Sequence, residues 1–420
     1  MIYQDKVTLK KIGWSVLVVA VSLVLQRIPV WGVRPDILKH LFAKTTPLAF
    51  TDTLSGGALS QLGIGGFGVT SIIMAGIMLQ LAGIIVPKLE KIHSDGEHGR
   101  LMYERMNFML AMIMTLIVGT GIALSSSPVY RAKGVLAVVP IIEWLVGTAV
   151  IVKLAQSVHL RGIGNGPALL LAANIASRVP SDLLTRLRFG QSLQAWAGAV
   201  GVLFVVIVLA VYLQAGSIKV HIQQTRKAVS IMNAEGEVPV PLAAASVLPL
   251  VYAQTIMALP SMIAAVTGKY DGFIGELLKF TSQSNWYNPT QWKHVAGLVV
   301  YILLVAFSSS YASKLAFSSP DVANRMRERG DVVPDIAPGK ETEKYFERRR
   351  RKLARVAAVM LLLIAVVPDF VLVRLGIRGF SFMGTSLIIM MAAFWDLRLR
   401  LTGRLKHHNK KYVLFEQRSR

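Results

Sequence analysis

Three glycines, Gly63, Gly65 and Gly68, form a complete G-x-G-x-x-G within GALSQLGIGGFGVTSIIMAGIMLQLA, residues 57–82. That spacing cradles a dinucleotide pyrophosphate when a strand precedes it, an amphipathic helix follows, and an acid lies about 20 residues on. Here a short polar, Gly-rich piece precedes it, and Val69 to Val86 is apolar with no polar face. The context points away from a nucleotide. His93, Asp95, Glu97 and His98 in EKIHSDGEHGR have the residue types of a metal site, but not the H-x-x-x-H spacing that sets two ligands on one helical face. His407 and His408 sit in a basic tail and read as solvated. There is no G-x-S-x-G, H-E-x-x-H or P-loop. With no cysteine, disulfides, thiolate metal sites and cysteine nucleophiles are excluded. The residues read as neither an enzyme nor a holder of metal or cofactor.

Glu143, Lys153 and Asp369 are ionisable residues in apolar surroundings, where such groups are functional candidates. All three fall toward the ends of apolar runs, so snorkelling to the interface accounts for them. Gln80, Asn107, Gln254 and Thr255 lie deeper and suit hydrogen bonds between helices.

The elements that carry these residues follow from composition. Of 420 residues, 53% are hydrophobic and 16% charged, and the mean hydropathy is +0.52. Soluble domains carry about 25% charge, so this is an integral membrane protein. Apolar runs able to cross about 30 Å of hydrocarbon lie near 12–30, 69–86, 106–125, 139–157, 165–180, 194–214, 244–265, 294–312, 353–373 and 379–396, about ten in all. The basic-then-apolar start, MIYQDKVTLKKIGWSVLVV, reads as a retained first span, because no small-residue cleavage site closes it. Net charge is +23, and the larger share of the Lys and Arg falls on one side if both termini are cytosolic, as the positive-inside rule requires. The outer segment Arg178 to Arg188 is locally basic and runs against that trend.

Two cytosolic loops are long enough to fold. In 216–241, Ile218, Val220 and Ile222 alternate with Lys219, His221 and Gln223, which predicts an exposed strand in a hairpin closed near Ala234 to Gly236. In 313–352, SSPDVANRMRERGDVVPDIAPGKETEKYFERRRRK offers a Ser N-cap and helix, a Gly stop, a Pro-rich tip and a second, basic helix. Its ERRRRK run has the composition of an anchor on anionic membrane lipids. A structured loop of this length also suits docking.

Several of these stretches occur together in one family. GGALSQLGIGGFGVTSIIMAGIMLQL, DGEHGR, RGIGNGPALLL, SSPDVANRMRERGDVVPDIAPGKETEKY and GTSLIIMMAAFWD resemble the SecY family, channel subunits of the Sec protein translocase, in order and spacing over residues 5 to 400. The resemblance implies an all-α membrane fold of ten helices in two inverted five-helix halves, 1–190 and 191–420, hinged like a clamshell. It implies a plug half-helix at 53–68, with Leu54, Ser55, Gly56, Gly57, Ala58, Leu59, Ser60, Gln61, Leu62, Gly63, Ile64 and Gly65 as its body. It implies a pore ring of aliphatic side chains at Val69, Ile73, Leu171, Val251 and Ile389, with Pro167 where an aliphatic is usual. A ring of that kind gates by dewetting. A lateral gate would place Gln80, Asn107, Gln254 and Thr255 near its seam.

The implied partners are a SecE-like subunit, a SecG-like subunit, a SecA-type motor ATPase or a ribosome, and unfolded secretory polypeptides in a bacterial cell membrane. Docking would use Lys219, Arg226, Lys227, Arg325, Arg327, Arg329, Ala337, Lys340 and Lys344. The family's tip, I-P-G-I-R-P-G, reads VPDIAPG here, with Asp335 for a glycine and Ala337 for the arginine. That departure suggests a divergent or accessory channel with its own motor. The reading from a different class is a secondary solute transporter with inverted repeats. It predicts charged groups at mid-membrane and short cytosolic loops, and neither is found in the sequence.

Overall fold

The structure, a computed structural model, describes residues 2–32, 63–86, 89, 96–125, 138–187, 193–224, 235–267, 272–282, 285–286, 292–374 and 383–416. In a bilayer core every backbone N–H and C=O must be satisfied within the chain, and a continuous helix does this for an apolar run. Each apolar run therefore lies on a helix. In order these are α1 (Ile2–Arg27), α2 (Gly68–Ile85), α3 (Gly96–Ser125), α4 (Val138–Arg161), α5 (Gly166–Leu187), α6 (Leu193–Ala215), α7 (Leu248–Thr267), α9 (Trp292–Ala316), α11 (Lys340–Arg374) and α12 (Met383–Glu416), with two short helices, α8 (Gly272–Thr281) and α10 (Ser319–Arg329), between them. Among the described residues, five helices are long and apolar enough to cross a membrane.

Several helices outrun their apolar stretches. α3 begins ten residues before its run, α11 thirteen before, and α12 continues to Glu416. Extending a formed helix adds one hydrogen bond per residue without a new nucleus, and Glu, Lys and Arg are good helix formers. Ion pairs one turn apart line these extensions, as Arg100–Glu104 and Arg400–Asp396 show. α5 likewise continues to Leu187, so most of the stretch from Arg178 to Arg188 is helical.

The chain groups into two compact units. The first is Met1–Gln191, Thr255–Gly297 and Ile389–Arg420, and the second is Ser192–Gln254 and Leu298–Ile388. In the first, α2, α3 and α4 pack on one another, α1 packs on α4 and α5, and α2 also meets α5. A line of buried hydroxyls joins the central three: Ser71 Oγ lies 2.8 Å from Thr115 Oγ1, which lies 3.1 Å from Thr148 Oγ1. In the second unit α6 packs on α11. A three-stranded sheet forms here in the order β2-β1-β3, from β1 (Ser217–Gln224), β2 (Glu235–Pro241) and β3 (Asp331–Val332).

Candidate functional site

The G-x-G-x-x-G lies just before α2 in the first unit, and its glycines serve packing. The backbone from Gly63 to Gly65 is laid against the end of α1: Ile64 N–H donates to Ile28 O at 3.0 Å and Gly65 N–H to Leu25 O at 3.1 Å, with a bridge between Pro29 and Gly63. A Cβ on Gly63 would fall 1.8 Å from Gln26 O, and one on Gly68 would fall 2.6 Å from Ile151 Cβ of α4. On the facing helix, a Cβ on Gly147 would fall 2.0 Å from Ile64 O. Only hydrogen fits between these backbones. Next in the chain, Phe67 is buried edge-on against Trp144, with ring centroids 5.0 Å apart.

Of the segment expected as a plug, Gly63, Ile64 and Gly65 belong to this tied piece, while Leu54 to Leu62 lie outside the described residues. Val69, Leu171, Val251 and Ile389 of the expected ring are buried and Ile73 is half-buried. Val69 and Ile73 on α2, Leu171 on α5 and Ile389 on α12 belong to the first unit, and Val251 on α7 to the second. Among the expected gate residues, Gln254 and Thr255 are buried, and Gln80 and Asn107 half-buried. Asn107 lies over Gly76 of α2, and Tyr103, one turn earlier, donates to Gly76 O at 3.2 Å.

The ionisable residues depart from the snorkelling expectation in one case. Lys153 is exposed, its Nζ 5.2 Å from the Phe108 ring centroid, and Glu143 accepts the Trp31 backbone N–H at 3.0 Å. Asp369, by contrast, is 1% exposed, beside buried Tyr301 and Gln254 within the second unit. Pro368 precedes it in α11. Of the expected metal cluster, His93 and Asp95 lie outside the described residues and His98 is exposed.

The second unit holds a built surface. The two loops read separately from sequence fold into one module. β1 pairs with β2 from Ser217↔Pro241 to Gln223↔Glu235, and with β3 at Gln223↔Val332 and Gln224↔Asp331. The ladder runs through Glu235 and Gly236, so the hairpin does not close there as the sequence suggested; the connection falls at 225–234, outside the described residues, together with Arg226 and Lys227. Register is set by Val220, Ile222 and Val240, which share a face and bury against Met326, Val333, Phe346 and Leu353. A one-residue slip would turn that face to solvent.

α10 starts as its sequence predicts, with Ser318 Oγ accepting from Asp321 N–H at 3.4 Å, and stops at Gly330 in the left-handed region, φ +73°. The second basic helix and the ninth apolar run are one helix, α11. Between α10 and α11 the tip turns at Asp335, also left-handed at φ +61°, and Ala337 O accepts from Thr342 Oγ1 at 2.9 Å. Arg325, Arg327, Arg329, Ala337, Lys340 and Lys344 are exposed around this module. Lys219 pairs across the hairpin with Glu237 at 2.8 Å, and this hydrogen bond holds the Glu237 carboxyl below its usual range.

The ERRRRK run is not uniformly solvated. Arg350 is 5% exposed and grips Glu347 with two hydrogen bonds, Nε to Oε2 at 3.0 Å and Nη2 to Oε1 at 2.6 Å. Its Nη1 reaches α9, donating to Ser313 Oγ at 2.6 Å and Ser310 O at 3.2 Å. Glu347 also accepts from Ser319 Oγ of α10 at 3.3 Å and from Arg351 Nε at 2.8 Å. The hydrogen bond from Arg350 is the main reason that the Glu347 carboxyl is held down to about 2. Sequence reading missed this clasp. Its signal was E-x-x-R on α11 facing the serines of FSSSYAS on α9, a burial of charge that only a partner can offset.

The SecY family profile matches residues 64–397, from the glycine-tied segment into the last helix. The chain belongs to the SecY family. The protein translocase subunit SecY of Synechocystis sp. is 28% identical over 396 residues, covering 89% of this chain and 88% of the relative. Among solved structures, a SecY whose plug domain stabilises the closed state of its channel matches with a TM-score of 0.66 at 16% identity, over 94% of this chain and 92% of that one. The Sec61 channel of the canine ribosome–channel complex matches with a TM-score of 0.63 at 17% identity, over the same shares. These likenesses establish the SecY fold for the chain: a mostly helical membrane protein. The family match runs through the tip, where Asp335 takes the left-handed conformation.

Proposed function

We propose that this chain is the protein-conducting channel subunit of a Sec translocase, passing unfolded polypeptides across a bacterial cell membrane and releasing segments sideways into lipid. The observation that carries this is the SecY family match over residues 64–397. Val69, Ile73, Leu171, Val251 and Ile389 form the pore ring, dry enough to block ions and soft enough to seal round a passing chain. Gln80, Asn107, Gln254 and Thr255 line the lateral gate. The chain works as two halves, 1–190 and 191–420, with both termini cytosolic.

The plug is Leu54 to Gly65, and its last three residues, Gly63 to Gly65, are the fixed end on which it swings. That reading is supported by the backbone hydrogen bonds to Leu25 and Ile28 and by the sealing role of the plug in the solved relative. Deleting Leu54–Leu62 leaves a folded channel with raised ion conductance in planar bilayers. Extending the deletion to Gly65 also removes the ties to α1 and lowers the yield of folded protein.

The partners are a small SecE-like clamp, a SecG-like subunit, and a cytosolic motor of SecA type or a ribosome, which meets the three-stranded module through Lys219, Arg226, Lys227, Arg325, Arg327, Arg329, Ala337, Lys340 and Lys344. The solved Sec61 relative belongs to a ribosome–channel complex, which supports a docking role for this module. With Ala337 in place of the tip arginine, no bidentate donor is offered there, so the channel serves a dedicated motor. Reconstitution tests the whole reading: vesicles holding this chain and its clamp subunit import an unfolded polypeptide when motor and ATP are added. Uptake of a small solute in place of the polypeptide would replace it with a transporter.

A further inference from the structure

Arg350 is the most deeply buried cation among the described residues, and the channel reading gives it no task. It does not face a motor, because its guanidinium is enclosed. Its hydrogen bonds connect three elements: Glu347 on its own helix α11, Ser310 and Ser313 at the end of α9, and, through Glu347, Ser319 at the start of α10. One turn further along α11, Ser309 Oγ donates to Ala354 O at 2.9 Å, a second tie between the same two helices.

The location is what makes these bonds informative. On one side lies the cytosolic module, whose core includes Phe346 and Leu353 of α11. On the other lie the apolar lengths of α9 and α11, with exposed Leu303 and Phe307 on the former and Val359 and Leu363 on the latter. A short apolar core could hold the module together by itself. The two-residue turn from α9 to α10 packs Phe317 against that core, an apolar contact with no fixed direction, and the bonds of Arg350 add one. A planar guanidinium with donors on both edges fixes both distance and orientation, which a lysine or a hydrophobic contact would not.

We propose that Arg350 is a positioning residue that makes the module and α9 move as one piece, so that force applied by a motor at the tip is delivered to the membrane-embedded length of α9. This rests on the channel reading above for the source of force and not for the rigidity itself. Glu347 and Ser313 are the two ends of the strut, and Arg351 adds a further hydrogen bond to Glu347.

Because the chain has no cysteine, cysteines introduced by Leu303→Cys on α9 and Arg327→Cys on α10 carry spin labels without background. In the full-length channel with its clamp subunit, the label-to-label distance distribution is expected to be narrow, and to broaden at least twofold on Arg350→Met. Ser313→Ala, which removes one acceptor and leaves the Arg350–Glu347 pair, gives an intermediate width, and Arg350→Lys only partly restores it. In vesicles, Arg350→Met lowers motor-driven translocation about tenfold while motor affinity stays within threefold.

An unchanged distance distribution in both Arg350→Met and Ser313→Ala overturns the proposal. So does broadening with undiminished translocation, or loss of motor affinity in step with translocation, which would make Arg350 a support for the module fold alone. If the unsubstituted channel moves no polypeptide, the channel reading fails while the spin-label measurement still decides the strut.

Discussion

The glycine segment of the first unit and the three-stranded module of the second invert the usual reading of their residue types. At Gly63 to Gly68 a pattern that elsewhere binds phosphate is used to bring three stretches of backbone into contact. In the module a run of arginines that elsewhere coats a surface sends one member into the interior as a cross-link between helices. The difference lies in the solvent. In lipid, apolar burial gives helices little reason to associate, so close backbone approach and hydroxyl pairs hold them. In water, a module this small has an apolar core of a few side chains and gains orientation from a charge-assisted clasp.

If backbone approach holds the first region, substitutions there should have the largest effects. Gly63→Ala places a methyl 1.8 Å from Gln26 O, and Gly147→Ala places one 2.0 Å from Ile64 O. Neither obstacle is a side chain that can turn away, so each should exceed the ~1–3 kcal/mol usual for overpacking and abolish folded protein in detergent. Gly76→Ala, whose methyl would meet Asn107 at 3.7 Å, should be tolerated, and Gly201→Ala, with nothing within 4 Å, should be neutral or stabilising. Folded yield and, where protein is recovered, thermal unfolding order the four variants. Equal melting temperatures would break the comparison at its first term.

In the module the largest effect belongs to the apolar core. Phe346 is fully buried between the sheet and α10, and Phe346→Ala should cost about 3–5 kcal/mol. That exceeds what a module of this size holds in reserve, so limited proteolysis should cut within β1, β2 and α10 while the apolar helices stay protected. Loss of the whole protein instead would show that the two regions fold as one.

The helices were legible from the sequence because apolar length alone specifies them, and the caps at Ser318 and Gly330 because each is a local hydrogen-bond problem. The burial of Asp369 was not, since its neighbours Tyr301 and Gln254 come from helices far away in the chain. Nor was the joining of the two loops. β3 is two residues long, too short to leave an alternation of side chains, and it pairs with a strand more than 100 residues away. Arg350 was hidden by its three arginine neighbours, because composition cannot say which of four arginines the helix turns inward. The pore ring came from resemblance and not from spacing: nothing in the types of Val69 or Leu171 separates a ring residue from a core residue.

Two smaller effects sharpen the contrast between hydroxyl and ionic ties. Thr115→Val keeps the shape but leaves Ser71 and Thr148 without their shared partner, and should cost about 1–2 kcal/mol by thermal unfolding. This cost should not vary with pH. The module should respond to acid. Glu347 is held at about 2 in the folded protein against an ordinary value of 4.5, so the folded state gains stability above the unfolded value and loses it as pH falls from about 4.5 toward 2. Proteolytic opening of the module followed across that window should increase in the native chain. Glu347→Gln should be less stable at neutral pH and flat across the window; a parallel pH slope in both would assign the acid sensitivity to another carboxylate.

The smallest structural effect and the sharpest functional one are expected at the tip. Asp335 sits at φ +61°, a conformation that costs a residue with a side chain roughly 1–2 kcal/mol, less for Asp than for most. Asp335→Gly removes that cost but returns roughly 0.5–1 kcal/mol of chain freedom to the unfolded state, so stability should move by less than about 1 kcal/mol. Asp335→Val, β-branched at the same angle, should lose more. Ala337 is exposed beside it, with only its carbonyl engaged, by Thr342, so Ala337→Arg adds a donor without disturbing a contact. The pair Asp335→Gly and Ala337→Arg therefore restores a bidentate donor and removes a carboxylate that repels an acidic docking surface, at almost no cost to the fold. Translocation driven by a housekeeping SecA-type motor should rise severalfold in the double variant, with melting temperature unchanged, while translocation with the chain's own motor falls or holds. An unmodified chain that already runs at full rate with the housekeeping motor would show that the tip arginine is dispensable here, and the dedicated motor would have to be given up while the Arg350 strut would still stand or fall on its own measurement.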